Sequence, residues 1–307
     1  MKVIIKVSGV GDIPNSYLNP LKMVRLIFII SYLSLCAFPA NSQKKGLHIF
    51  QPLGRNTGAS CIIDSTNLQI YYAFSASDIL NEDTYRDLFC LEIGEKHLKF
   101  YSQYLADAEE NANKWSKAHP KANSAPRVSP EGRYHNGWSE YQYSQWFISN
   151  DTLTEYSCFP LWLGKYNCYH KERYPEQIWE IVSDTMTVCG QLCQKAVCRF
   201  RGRDYTAWFT PNIPLAYGPW KFGGLPGIIL KVTDKDNLYS FECVRISTHK
   251  KPLLKDEYSR YNEMERRKLL KLQRGINEDY GNYIKLTNTK TGEPVRIFSE
   301  YEPIELE

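Results

Sequence analysis

Cys189, Cys193 and Cys198 form the densest run of side chains that could ligate a metal or cross-link the chain. Their spacing lacks the paired C-x₂-C of zinc sites, and no histidine adjoins them. Along a strand, Cys189 and Cys193 share a face and Cys198 takes the other unless a bulge intervenes. That pattern favours disulfides to other strands over one shared ion. The six histidines are scattered and make no H-E-x-x-H pair. There is no G-x-S-x-G elbow, no C-x-x-C redox pair and no phosphate-binding P-loop. The sequence assigns no catalytic residue, no metal and no cofactor.

A second group could bind rather than react. Arg201 and Arg203 flank Gly202 in a predicted turn, Trp208 follows, and Pro219-Trp220-Lys221-Phe222 lead into Gly223-Gly224-Leu225-Pro226-Gly227. Proline and glycine at successive central positions predict a type II turn at Leu225-Pro226-Gly227. Gly223-Gly224 allows a close backbone approach. Pro219 and Pro226 stiffen the loop and reduce the entropy lost on ordering it. Two readings follow. In one, the loop is a rigid crossover that packs Trp208, Trp220 and Phe222 on the core, with the arginines clamped on an internal carboxylate. In the other, Arg201, Arg203, Trp208, Trp220, Lys221 and Phe222 form a preorganised surface for a peptide, glycan or lipid headgroup.

The elements that must position these residues are mostly strands. Apolar and aromatic runs predict strands at residues 68–75, 139–149, 177–182, 185–200 (broken by a bulge or turn at Gly190), 205–209, 228–233 and 238–246. Residues 87–93 and 96–102 predict a hairpin closed at Gly94-Glu95. Residues 103–117 predict a helix that ends before His119-Pro120. A second helix is predicted over 256–273, with Tyr258, Tyr261, Leu269 and Leu272 on one face and Gly275 as its stop. Residues 118–137 read as a long surface loop. Strands in series with few helices predict a mainly β protein, an antiparallel curved sheet or half-open barrel with one or two packed helices.

The N-terminus adds an address. Residues 26–38 are apolar, follow Lys22 and Arg25, and lead to small residues before a cut at Gln43, the layout of a secretory signal peptide over 23–42. Translation from Met23 would leave residues 1–22 as an extension outside the product, and 43–307 as a single domain. The chain has 38 basic and 34 acidic residues, net +4, which does not indicate nucleic-acid binding. Cleavage would remove four of those bases and one acid, so the mature chain would be nearly neutral. Of nine cysteines, Cys36 would leave. Cys61, Cys90, Cys158, Cys168, Cys189, Cys193, Cys198 and Cys243 would remain as disulfide candidates in an oxidising compartment. No second apolar run reaches transmembrane length.

The central block is the most distinctive part. Gly202-Arg203-x-Tyr205-x-Ala207-Trp208-Phe209, Gly218-Pro219-Trp220 and Gly224–Ile229, with Pro303-Ile304-Glu305-Leu306 at the C-terminus, resemble the GLPGLI family of exported Bacteroidetes-type proteins. Ile228 stands where that hexapeptide usually has leucine. The resemblance implies a cell-envelope or periplasmic location, supplies no catalytic residue, and makes Cys193 the cysteine most expected to be bridged. The expected function is a non-enzymatic module that binds an envelope protein, peptide, glycan or lipid through the aromatic loop. A hydrolase or transferase acting on envelope polymers, and an assembly factor for outer-membrane complexes, are the alternatives.

Overall fold

Two-residue turns dictate much of the topology. Asn150-Asp151, Cys189-Gly190 and Arg201-Gly202 each place two successive residues at positive φ, between 47° and 82°. That is the signature of the hairpin turn whose twist matches the strands it joins. The computed structural model describes residue 49 and residues 60–122, 137–298 and 301–306. The signal-peptide run, the cut before Gln43, residues 1–22 and positions 123–136 of the expected surface loop lie outside them.

In chain order the strands are β1 (Ser60–Thr66), β2 (Leu68–Phe74), β3 (Asp87–Ile93), β4 (Leu98–Ser102), β5 (Ser144–Ser149), β6 (Thr152–Ser157) and β7 (Cys168–Arg173). Then come β8 (Glu180–Val188), β9 (Gln191–Phe200), β10 (Arg203–Thr210), β11 (Ile228–Asp234), β12 (Ser240–Ser247), β13 (Lys251–Asp256) and β14 (Asn262–Glu263). The helices are α1 (Gln103–Ala118), α2 (Arg266–Glu278) and α3 (Tyr280–Tyr283). β1 and β13 form a separate ribbon. The main sheet runs β14-β7-β6-β5-β4-β3-β2-β12-β11-β10-β9-β8. All its pairings are antiparallel except β14 with β7. Two meanders, β2 to β7 and β8 to β12, are thus joined where β2 pairs with β12.

This order forces curvature. β7 and β8 are ten strand spacings apart, about 48 Å across a flat sheet. The chain from Arg173 to Glu180 can span at most about 25 Å. The sheet therefore curls until its two ends approach, and it stays open because β7 and β8 do not pair. One inner core accordingly draws on both ends: Trp146 and Leu153 from β5 and β6 share a cluster with Phe200 and Tyr205 from β9 and β10. The expected antiparallel, mainly β architecture holds.

The outer face divides into three patches. Tyr71, Cys90 and Tyr101 on β2–β4 are covered by Tyr104 and Ala106 of α1. Phe147, Tyr156 and Tyr169 on β5–β7 are covered by Leu253 of the ribbon and by Tyr258 and Tyr261 of the segment that follows it. On β9–β11 the outward side chains include Lys195, Arg199, Thr206, Trp208 and Lys231, and none of these is buried. No helix lies over them among the described residues.

Several expectations need correcting. The helix predicted from 256 begins at Arg266, because Tyr258 stacks on Tyr156 with ring centroids 3.7 Å apart and the Met264 N–H donates to the Tyr169 carbonyl. The three-residue Tyr258–Tyr261 spacing serves this aromatic packing, not a helix face. Gly275 does not stop α2. It sits inside the helix, where a Cβ would come within 2.1 Å of the Tyr283 hydroxyl. The β3–β4 connection is longer than Gly94-Glu95: the Gly94 N–H donates to the His97 carbonyl, and the Asp64 carboxylate accepts from the Lys96 and His97 amides. The break expected at Gly190 is, by contrast, present as a hairpin turn between β8 and β9.

Candidate functional site

At the β9–β10 turn, Arg201 and Gly202 adopt φ of 49° and 82°. Arg201 thereby turns its guanidinium back toward β7, where Nη2 lies 2.6 Å from Glu172. The chain then runs through β10 and the 211–227 crossover. Trp220 (φ 54°) and Phe222 are buried against Phe200 and Tyr205 of the inner core. The segment ahead of β8 pins this loop. Tyr174 donates to the Phe222 carbonyl, Trp179 to the Gly223 carbonyl, and the Gln177 side chain accepts from the Gly223 amide. Gly223 is necessary for that approach, since a Cβ there would lie 2.6 Å from the Tyr174 hydroxyl.

The predicted type II turn is absent. The Gly227 N–H donates to the Leu225 carbonyl, closing a three-residue turn on Pro226. The Ile228 N–H, which a type II turn would direct back to Leu225, is taken by the Ile213 carbonyl.

Between the crossover residues lies Lys221, 1% exposed. Its ammonium is 3.1 Å from Glu155 and 3.8 Å from Glu172, and it contacts Glu305. Burial alone would lower its pKa, but Glu155, Glu305 and Glu172 outweigh that and raise it. Burial likewise pushes Glu172 up, yet His170, Lys221 and Arg201 together hold it at about 2. Glu305 is also held low, because Lys221, Arg201 and Arg266 overcome its burial. A buried cation ringed by carboxylates is stable as an ionised cluster and does not act as a base at neutral pH.

Arg203, also buried, stands 3.6 Å from Asp234 and 2.5 Å from Glu302. The arginines and Lys221 thus clamp internal carboxylates, and Trp220 and Phe222 fill the core. Trp208 touches that core only at its margin. It has the parity of Asp204 and Thr206, opposite to Tyr205 and Ala207, and therefore lies on the outer face.

There Trp208 is half-buried, flanked in register by Lys195 and Lys231. The Lys195 ammonium sits 5.9 Å from its ring centroid and 2.9 Å from Asp184. Lys231 pairs with Glu242 at 2.8 Å. With Thr206, Val197 and the Ile178–Trp179 segment, Trp208 lines an open cleft of about 860 Å³ at the β8 end of the sheet. Ile178 on its rim is 92% exposed.

Cys61, Cys90, Cys158, Cys168, Cys189, Cys193, Cys198 and Cys243 are among the described residues, and no disulfide joins any two of them. Cys189 occupies the hairpin turn and is exposed, so it has no strand face. Cys193 and Cys198 both reach the inner core. No three His, Cys, Asp or Glu side chains come together to hold a metal ion among the described residues.

Sequence reasoning missed Glu155, Glu172, His170, Arg266 and Glu302. Each is a polar residue in an otherwise unremarkable strand, helix or tail. Only the alternation of β6 and β7 could have marked Glu155 and His170 as inward-facing.

A family model described as "Protein of unknown function (Porph_ging)" matches residues 201–231, from the β9–β10 turn into β11. No curated protein matches the chain. Among solved structures, PNGF-II in space groups P2₁ and C2 is similar at 13% and 12% identity, with TM-scores of 0.43 and 0.44. Each match covers 70% of this chain, which spans about a third of the length of those solved chains (34% and 33%).

Proposed function

We propose that this is an exported cell-envelope protein, akin to the GLPGLI proteins, that binds an extended peptide segment of a partner in the Trp208 cleft. One observation carries the reading: among the described residues no helix covers the outer face of β9–β11, which forms a cleft of about 860 Å³ around a half-buried tryptophan. The two neighbouring outer patches are sealed by α1 and by the ribbon with the Tyr258–Tyr261 segment. An aromatic floor with Val197 beside it supplies contact area, and Thr206, Arg199 and Asn237 supply polar partners on the rim. β8 ends the sheet beside this cleft, so an extended segment can lie along its free edge. The apolar run at residues 26–38 supports export, and matching stretches of the central block support the family reading.

Photo-crosslinking from residue 178 in intact cells tests the proposal. A discrete protein adduct is expected, falling at least tenfold with Trp208→Ala. An adduct that Trp208→Ala leaves unchanged would remove the cleft from the function.

A further inference from the structure

The tail of the chain is seated in the inner groove much as a ligand sits in a receptor. Residues 301–306 form no strand. The Arg203 guanidinium donates to the carbonyls of Pro303 (2.6 Å) and Ile304 (3.2 Å), and Tyr239 donates to that of Glu302. In return, the Leu306 N–H donates to the Arg201 carbonyl. Ile304 is buried in the inner core. Two carboxylates three residues apart are held separately: Glu302 by Arg203, and Glu305 by Lys221 and by Arg266 at 2.5 Å. Main-chain bonds, one apolar anchor and two charge pockets are the components of peptide recognition.

The groove is also built to survive without its occupant. Lys221 keeps Glu155 and Glu172, Arg201 keeps Glu172, and Arg203 keeps Asp234. Departure of the tail therefore strands none of these three cations without a carboxylate. Stranding one is the usual reason why a buried ion pair cannot open. Glu302 and Leu306 are already half exposed.

We propose that this groove is a binding site for extended acidic peptides with glutamates at positions i and i+3 around Pro-Ile, filled in cis by residues 301–306 and exchangeable with such a segment supplied in trans. It opens on the face of the sheet opposite Trp208, meets the lining of that cleft only at Tyr205 and Asp234, and does not depend on it.

The test uses the full chain and a fluorescent peptide of sequence YEPIELE. In E302K/E305K the cis tail is repelled by Arg203, Lys221 and Arg266. That chain is expected to bind the peptide at least tenfold more tightly than the wild type, and to bind the double Glu→Gln peptide at least tenfold more weakly than YEPIELE. A folded E302K/E305K chain that does not bind the peptide overturns the proposal. If the variant fails to fold, hydrogen exchange on the wild type decides. The Leu306 amide should exchange at least 100-fold faster than that of Ala207. Equal rates would mean that the tail leaves only on global unfolding, which also overturns the proposal.

Discussion

Asp87 is a carboxyl that the fold keeps neutral. It is 1% exposed on β3, accepts from the Ser102 hydroxyl at 2.9 Å and the Leu88 amide at 2.8 Å, and faces the buried side chain of Gln142. Burial pushes its pKa from 3.8 to about 8, against the lowering effect of those three hydrogen bonds. The folded state thus holds a proton that the unfolded chain releases near pH 4. Stability from this residue is complete below pH 4 and declines as pH rises toward 8. Asp87→Asn should therefore stabilise the protein at pH 8 by on the order of 2 kcal/mol, with the gain shrinking toward pH 4. Urea denaturation at pH 5 and pH 8 measures this, and an equal or absent gain at both would count against a neutral carboxyl. Nothing near Asp87 in the sequence marks it. Nor does anything near Glu155 or Glu172 name their partner Lys221, about fifty or more residues away. The residue types are visible in the chain, but their burial is a property of the curled sheet.

At the scale of elements, glycine separates steric need from conformational need. A Cβ on Gly227 would lie 2.2 Å from the Thr210 carbonyl oxygen and 2.6 Å from its carbon, both backbone atoms that cannot move aside. A Cβ on Gly224 would meet open space, the nearest atom being 4.0 Å away, so only its φ of 83° resists substitution. Gly227→Ala should cost about 3 kcal/mol or more, and Gly224→Ala about 1 kcal/mol. Chemical denaturation of the two variants gives the order, and a larger loss at Gly224 would contradict this packing. Strands with clean apolar runs, such as β2, β3 and β10–β12, were readable to within a few residues, as was α1, whose first turn is capped by the Ser102 hydroxyl accepting from the Leu105 amide. β6, β7 and β13 were not. Their sequences, TLTEYS, CYHKER and KPLLKD, bury few large apolar side chains and belong to the sheet or ribbon through partners far along the chain. The misplaced helix start has the same origin, since Tyr258 and Tyr261 satisfied a helical period while packing on β6.

At the scale of the molecule, the two tryptophans of the central block part company. Trp220 is 3% exposed among Phe200 and Phe222, so Trp220→Ala should cost about 3–5 kcal/mol. Trp208 stands on the opposite face, and Trp208→Ala should change stability by about 1 kcal/mol or less. Thermal or urea melts of both variants test this, and similar losses would show that the two side chains share one core. The mainly β class and the pairing of β3 with β4 were determined by the sequence alone, because hydrophobic period and turn residues act on neighbouring residues. Which aromatic faces water, which carboxylates ring Lys221 and where the tail docks were decided only by tertiary structure. Those outcomes depend on a sheet that curls until strands distant in sequence face one another, and no local pattern encodes that closure.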